Sequence, residues 1–169
     1  MNATQAKRYV LFSIRPFYAE KIISGNKTVE LRRKFPEFGT AGSTALIYST
    51  SPVSAITGIA RIKSVFKLPL SKLWAAHGEA AYIAKNDFNG YFAGQSYGFA
   101  IILDSARQLK QQITASDLET EFGIVPPQSY RYIAEERIAL LNDGRLQTAS
   151  RYERRDSAGR SPARTSISR

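Results

Sequence analysis

From Thr28 to Arg32 the chain alternates, with Val29 and Leu31 apolar and Thr28, Glu30 and Arg32 polar. A strand here turns the two apolar residues to one face and the polar triplet to the other. Upstream, Tyr9 to Ile14 is rich in β-formers and bounded by Pro16, which predicts a first strand. Pro16 suits a helix start, and Tyr18 and Ile22, joined by Phe17 and Ile23, give the apolar side of about two turns. Gly25 and Asn26 both tolerate the left-handed conformation of a helix end, so the helix stops there and the second strand follows at once.

Lys34 to Ser43 reads as a loop. Thr44 to Ser49, TALIYS, has an apolar centre that predicts a strand buried on both faces. After the STSP turn at 49–52, a long fourth strand runs from Ile56 to Phe66, and Gly58 inside it marks a bulge or a close backbone approach. Leu70–Ala76 and Glu79–Ala84 read as helices separated by Gly78, the first capped by Ser71. Asn86 to Gly94 reads as turn-rich, with Phe88, Tyr91 and Phe92 packed back on the body. Tyr97–Leu103 and Gln108–Thr114 are expected strands, and Ser116 with Glu119 three residues on opens a short helix. A last strand is expected over Tyr130–Ile133 and a helix over Glu135–Leu141.

Residues 1–7 are polar and expected to be loose. Beyond Asn142, Arg, Ser, Gly and Ala replace almost all large apolar residues, too little to offset the entropy of ordering. The pattern therefore predicts one domain over 8–142 and a disordered basic tail over 143–169. A chain of 169 residues is long enough to bury a core without staples.

Composition narrows the chemistry. The absence of cysteine excludes disulfides, thiolate zinc sites and a cysteine nucleophile. The N-terminal MNATQAKRYVLF holds too short an apolar run for a signal peptide, and nowhere do about eighteen apolar residues stand together, so a soluble cytoplasmic protein is expected. The net charge is +10. Residues 7–34 hold eight Lys or Arg against Glu20 and Glu30, and residues 143–169 hold seven Arg against Asp143, Glu153 and Asp156. The basic balance thus sits in the opening segment and the tail, and it attracts polyanions, of which nucleic acid is the commonest in a cell.

There is no Walker loop, no GxGxxG, no HExxH and no GxSxG. The single histidine, His77, fits a cap or surface role and builds no metal site, and no cofactor is expected. The segment SIRPFYAEKIISGNKTVELR, residues 13–32, is sharper. It resembles the signature of the ASCH superfamily, in which a strand ending in Ser, a hydrophobic residue, Lys or Arg, and Pro precedes a short helix and then GxKxxExR. Gly25, Lys27, Glu30 and Arg32 stand in that register. IYSTSPVSAITG at 47–58, GYFAG at 90–94, YGFAI at 97–101 and PPQSYRYI at 126–133 extend the resemblance over roughly residues 9–133.

The resemblance implies a mainly β fold with peripheral helices, a PUA-like small β-pseudobarrel, and a cleft for RNA or a nucleotide. Its candidate lining is Lys27, Glu30 and Arg32 with Ser13 and Arg15, and Ser51 from the STSP turn as an addition. Lys27 and Arg32 offer donors to phosphate or base edges, and Glu30 can orient Arg32, accept from an exocyclic amine or act as a base. The same residues also fit a structural ion pair in a narrow barrel mouth, with Lys27 solvated. Tyr18, Tyr48, Tyr97, Tyr130 and Tyr132 are candidates for base stacking, though core is the expected place for any one of them.

RNA or nucleotide recognition by a monomer without a membrane is the expected role. The resemblance also admits a hydrolase, acting on RNA or on an acylated nucleoside, with Lys27 and Glu30 as the acid and base pair. In the amidohydrolase branch a nucleophilic Thr stands three residues after the Lys; here Glu30 occupies that place and removes the hydroxyl, though Thr28 is near in sequence. A transcriptional regulator or toxin–antitoxin partner is a further reading, drawn only from the company ASCH domains keep.

Overall fold

The computed structural model describes residues 8–149. The elements run β1 (Tyr9–Ile14), α1 (Pro16–Ile23), β2 (Val29–Arg32), β3 (Thr44–Ser49), β4 (Ala55–Pro69), α2 (Leu70–His77), α3 (Lys85–Tyr91), β5 (Tyr97–Thr114), α4 (Ala115–Phe122), β6 (Tyr130–Ile133) and α5 (Glu135–Asn142). The strands form one mixed sheet in the order β2-β5-β4-β3-β1-β6. Only the β1–β3 pairing is parallel, with Tyr9 opposite Thr44 and Ile14 opposite Ser49. The crossover between those two strands carries α1 and β2, and this places the charged segment beside the end of β1.

Strand β1 is buried at every position, and from Ala45 to Ser49 so is β3, as an apolar centre requires when both faces are covered. On one face Val10, Phe12, Ile14, Ala45, Ile47, Ile62 and Ile101 pack with Ala19 and Ile22 of α1. On the other, Leu11, Leu46, Ile56 and Ile113 meet Leu118 and Phe122 of α4 and Ile138 and Leu141 of α5. A third cluster joins Val29 and Leu31 of β2 to Leu73 of α2 and to Phe88 and Phe92. Glu30 and Arg32 point to the opposite side of β2 from Val29 and Leu31, as the alternation predicts.

The sheet curls without closing. Its terminal strands β2 and β6 share no ladder, and the seam is crossed by side chains: Arg32 on β2 donates through Nη2 to the Ser13 carbonyl on β1 at 3.1 Å and through Nη1 to Ser129 Oγ, just before β6, at 3.3 Å. This is the pseudobarrel the sequence led us to expect, held open at one side.

Gly58 marks both a bulge and a close approach. The β3–β4 and β4–β5 registers shift around it, and a Cβ there would lie 2.6 Å from the Arg107 carbonyl oxygen and 2.8 Å from Ile23.

Several elements differ from the sequence expectation. Glu79–Ala84 is a turn and not a helix, because β2 takes its carbonyls: Thr28 and Val29 N–H donate to Ala80 O at 3.0 and 3.2 Å. The stretch read as turn-rich contains helix α3, which tertiary packing secures. Phe88 and Phe92, four residues apart, bury together against Leu73 and outweigh the weak local propensity of Asn86, Asn89 and Gly90. The two strands expected over 97–103 and 108–114 are one strand, continued through Asp104, which pairs with Arg61 at 2.6 Å. Helix α2 starts after Pro69 with Ser71 inside its first turn, and α4 is capped by Thr114, whose Oγ1 accepts from Asp117 N at 3.1 Å.

Residues 143–149, which the composition places in the tail, lie along β5: Lys110 N donates to Gln147 O at 2.8 Å and Ala149 N to Gln108 O at 2.9 Å. Leu146 packs on the core, and Arg145 pairs with Asp117 at 3.2 Å and Glu121 at 3.4 Å. The rest of the expected tail and segment 1–7, expected to be loose, lie outside the described residues.

Candidate functional site

The seam between β2 and β1 opens into a cleft of about 720 Å³, within the range of small-ligand sites. Its floor is the polar face of β2. Glu30 stands between two cations, with Oε2 3.3 Å from Lys27 Nζ and Oε1 3.0 Å from Arg32 Nη2. All three residues are at most 9 % exposed, so water screens the pairs poorly.

Lys27 is not the solvated lysine of the structural ion-pair reading. Its Nζ donates to Val29 O at 2.8 Å and to Ala81 O at 2.6 Å, and with Glu30 this occupies its three donors. The ammonium also lies 5.3 Å from the centre of the Tyr18 ring. It fastens β2 to the 78–84 turn and holds one side of Glu30. Arg32 is held by Glu30, the Ser13 carbonyl and Ser129 Oγ, and its Nε is buried without a hydrogen-bond partner among the described residues. Each carboxylate oxygen of Glu30 accepts from one cation and keeps acceptor capacity toward the cleft.

Of the residues expected at the site, Ser13, Arg15, Lys27, Glu30 and Arg32 all line this cleft. Ser13 is buried, with its Oγ donating to Pro127 O at 2.5 Å, which fixes the 127–129 segment over the end of β1. Arg15 is exposed at the rim. Ser51 is exposed and does not line the cleft; Thr50 does. Thr28 is exposed and also lies outside the lining, so the hydroxyl nearest in sequence to Glu30 does not face the cleft.

Among the tyrosines proposed for stacking, Tyr18 alone lines the cleft. Tyr48 is buried in the core, and Tyr130 packs on Phe35 at 4.8 Å between ring centres. Tyr97 and Tyr132 are exposed elsewhere, under Lys67 at 4.0 Å and Arg8 at 5.9 Å. Asn86, Asp87, Tyr91 and Gln128 also line the cleft and were not anticipated as site residues. Two of them sit inside the GYFAG and PPQSYRYI segments, whose resemblance to the family is the signal that could have found them.

Residues 12–122 match the sequence profile of the family described as the ASCH domain. The chain belongs to the ASCH family. An ASCH domain-containing ribonuclease of Zymomonas mobilis is 27 % identical over 135 residues, which cover 80 % of this chain and 90 % of that protein. The crystal structure of ASCH from Zymomonas mobilis superposes with a TM-score of 0.76 at 27 % identity, covering 83 % of this chain and 96 % of the other. Human THYN1, solved in complex with 5-methylcytosine-containing DNA, shares the fold at a TM-score of 0.51 and 12 % identity, over 80 % of this chain and 95 % of that one. The open pseudobarrel is thus the ASCH fold, and its GxKxxExR segment carries Lys27 just before β2 and Glu30 and Arg32 on that strand. No helix among the described residues is long and apolar enough to cross a membrane.

Proposed function

We propose that this ASCH protein binds single-stranded RNA or a modified nucleotide in the cleft floored by Lys27, Glu30 and Arg32. The observation that carries the reading is the buried Lys27–Glu30–Arg32 array, in a cleft that Tyr18 and Tyr91 also line. A base entering this cleft meets a carboxylate acceptor matched to an exocyclic amine, with aromatic rings among its neighbours. Arg32 Nε is a buried donor with no partner among the described residues, the kind of group a ligand acceptor satisfies. Asn86 and Gln128 add amides able to read a base edge, and exposed Arg15 supplies charge for a phosphate at the rim. The arginines from Arg151 onward add sequence-independent attraction to the same polyanion.

The reading is tested by anisotropy of a labelled single-stranded RNA. Binding is expected at low salt, weakening with the logarithm of salt concentration and falling on Arg15→Ala. No binding at low salt, or affinity indifferent to Arg15→Ala, sinks it.

Hydrolysis of RNA is the second reading, favoured by the name of the Zymomonas mobilis ribonuclease. Lys27 would then be a poor proton donor, since each of its N–H groups is already committed. This is why we place recognition first. Chromatography of RNA incubated with the protein decides the matter: cleavage that disappears in Glu30→Gln establishes turnover.

A further inference from the structure

Beside the cleft, on its α1 side, lies an exposed aromatic patch that the proposed site does not use. Phe17 is 55 % exposed and Tyr82 42 % exposed, and as neighbours they form a contiguous exposed patch, which is more informative than either ring alone. Their centres lie 6.0 Å apart, and Lys21 Nζ stands 5.4 Å from each. Phe17 meets Tyr18 edge-on at 5.2 Å, and Tyr18 lines the cleft; Tyr82 precedes Ile83, which lines it too. The patch is therefore continuous with the cleft wall on two elements.

Tyr82 is held there against its backbone preference. Its φ is +57°, in the left-handed region where a bulky residue is strained. The surrounding turn over-determines that conformation. Tyr82 N donates to Glu79 O at 2.9 Å and Ala81 N to His77 O at 2.9 Å, while Ala80 O and Ala81 O are taken by β2 and by Lys27 Nζ. The group that fastens Glu30 thus also sets the backbone that presents Tyr82 beside Phe17. Glycine would fit this backbone without strain, and the chain carries a tyrosine instead.

We infer that Phe17, Lys21 and Tyr82 form a second base-stacking subsite, which takes the nucleotide adjoining the one in the cleft. The ligand is then a single strand of at least two nucleotides and not a free nucleoside. Two exposed π-faces accept any base, and the ammonium between them meets the linking phosphate, the combination by which single strands are tracked without sequence reading. The inference rests on the proposed function and narrows it.

Isothermal titration with cytidine monophosphate and with a tetranucleotide of single-stranded RNA tests it, on the full chain and on Phe17→Ala, Tyr82→Gly and Arg15→Ala. Tyr82→Gly removes the ring while suiting the left-handed backbone, so its melting temperature should be equal to or above that of the wild type. The wild type should bind the tetranucleotide more tightly than the mononucleotide. Phe17→Ala and Tyr82→Gly should each weaken the tetranucleotide about 5- to 100-fold, the range for loss of one stacked base, and leave the mononucleotide within twofold. Arg15→Ala should weaken both. Equal wild-type affinity for the two probes, or tetranucleotide binding indifferent to both ring deletions, overturns the subsite and leaves the cleft standing. If neither probe binds the wild type, the cleft reading and the subsite fall together.

Discussion

Replacing Glu30 by glutamine keeps the side-chain shape and removes one charge from the floor of the cleft. Two cations then remain buried, Lys27 at 5 % exposure and Arg32 at 9 %, where each had an oxygen of Glu30 at 3.3 and 3.0 Å. Stripping the counter-charge from a buried pair costs about 3–5 kcal/mol, because the remaining charge stays desolvated. Here the low end applies. Lys27 keeps the Val29 and Ala81 carbonyls, and Arg32 keeps the Ser13 carbonyl and Ser129 Oγ, so neither cation is left without an acceptor. A loss of about 3 kcal/mol is a large share of a total stability of about 5–15 kcal/mol. For a chain of this length it lowers the melting temperature by about 6–12 °C. Thermal melts and urea titrations of Glu30→Gln followed by circular dichroism measure this directly. The double variant Lys27→Met with Glu30→Gln should lose less than the sum of the two single changes, since the second substitution removes the charge that the first leaves exposed to the low dielectric. A melting temperature within about 2 °C of the wild type, or strict additivity in the cycle, would refute the claim that Glu30 neutralises the buried cations.

Three other outcomes follow from the packing and from titration. Gly58→Ala puts a methyl against the Arg107 carbonyl and Ile23, with no flexible group to yield on the backbone side, and should cost about 1–3 kcal/mol in urea midpoint; an unchanged midpoint contradicts the close approach. Phe88→Ala empties the cluster that secures α3 and should cost about 3–5 kcal/mol, with loss of helical ellipticity if α3 depends on that ring. Burial pushes the His77 imidazole below its ordinary value of 6.5. The unfolded chain therefore takes up the proton first. The contribution is complete above about 6.5 and is lost as pH falls from there through the folded value. His77→Gln should flatten the decline of the urea midpoint between about pH 7 and 5 relative to wild type; an identical decline in both proteins assigns it to other groups.

The alternation of Thr28 to Arg32 was enough to say that Glu30 and Arg32 share a face opposite Val29 and Leu31, because side chains on a strand alternate whatever surrounds them. Pro16, Gly25 and the buried run of β3 were legible for the same reason: each rests on a rule that acts within a few residues. The GxKxxExR segment and the order of its companion segments identified the family. The resemblance therefore implied one cleft for Ser13, Arg15, Lys27, Glu30 and Arg32, and all five line it.

What local rules could not reach was decided by contacts between distant residues. Glu79–Ala84 is a turn because β2 and Lys27 claim its carbonyls, and 85–91 is a helix because Phe88 and Phe92 find Leu73. Residues 143–149, poor in apolar groups, lie along β5 because strand edges offer backbone partners that composition does not register. Lys27 reads in sequence as a donor for a ligand or as a solvated cation; its three acceptors come from Val29, Glu30 and a carbonyl 54 residues away. Sequence thus determined that Glu30 and Arg32 share one face of their strand, and tertiary structure decided which other residues join them in the cleft and which are free to meet a ligand. A side chain's direction follows from its own strand, whereas its spare hydrogen-bonding capacity depends on every element that folds against it.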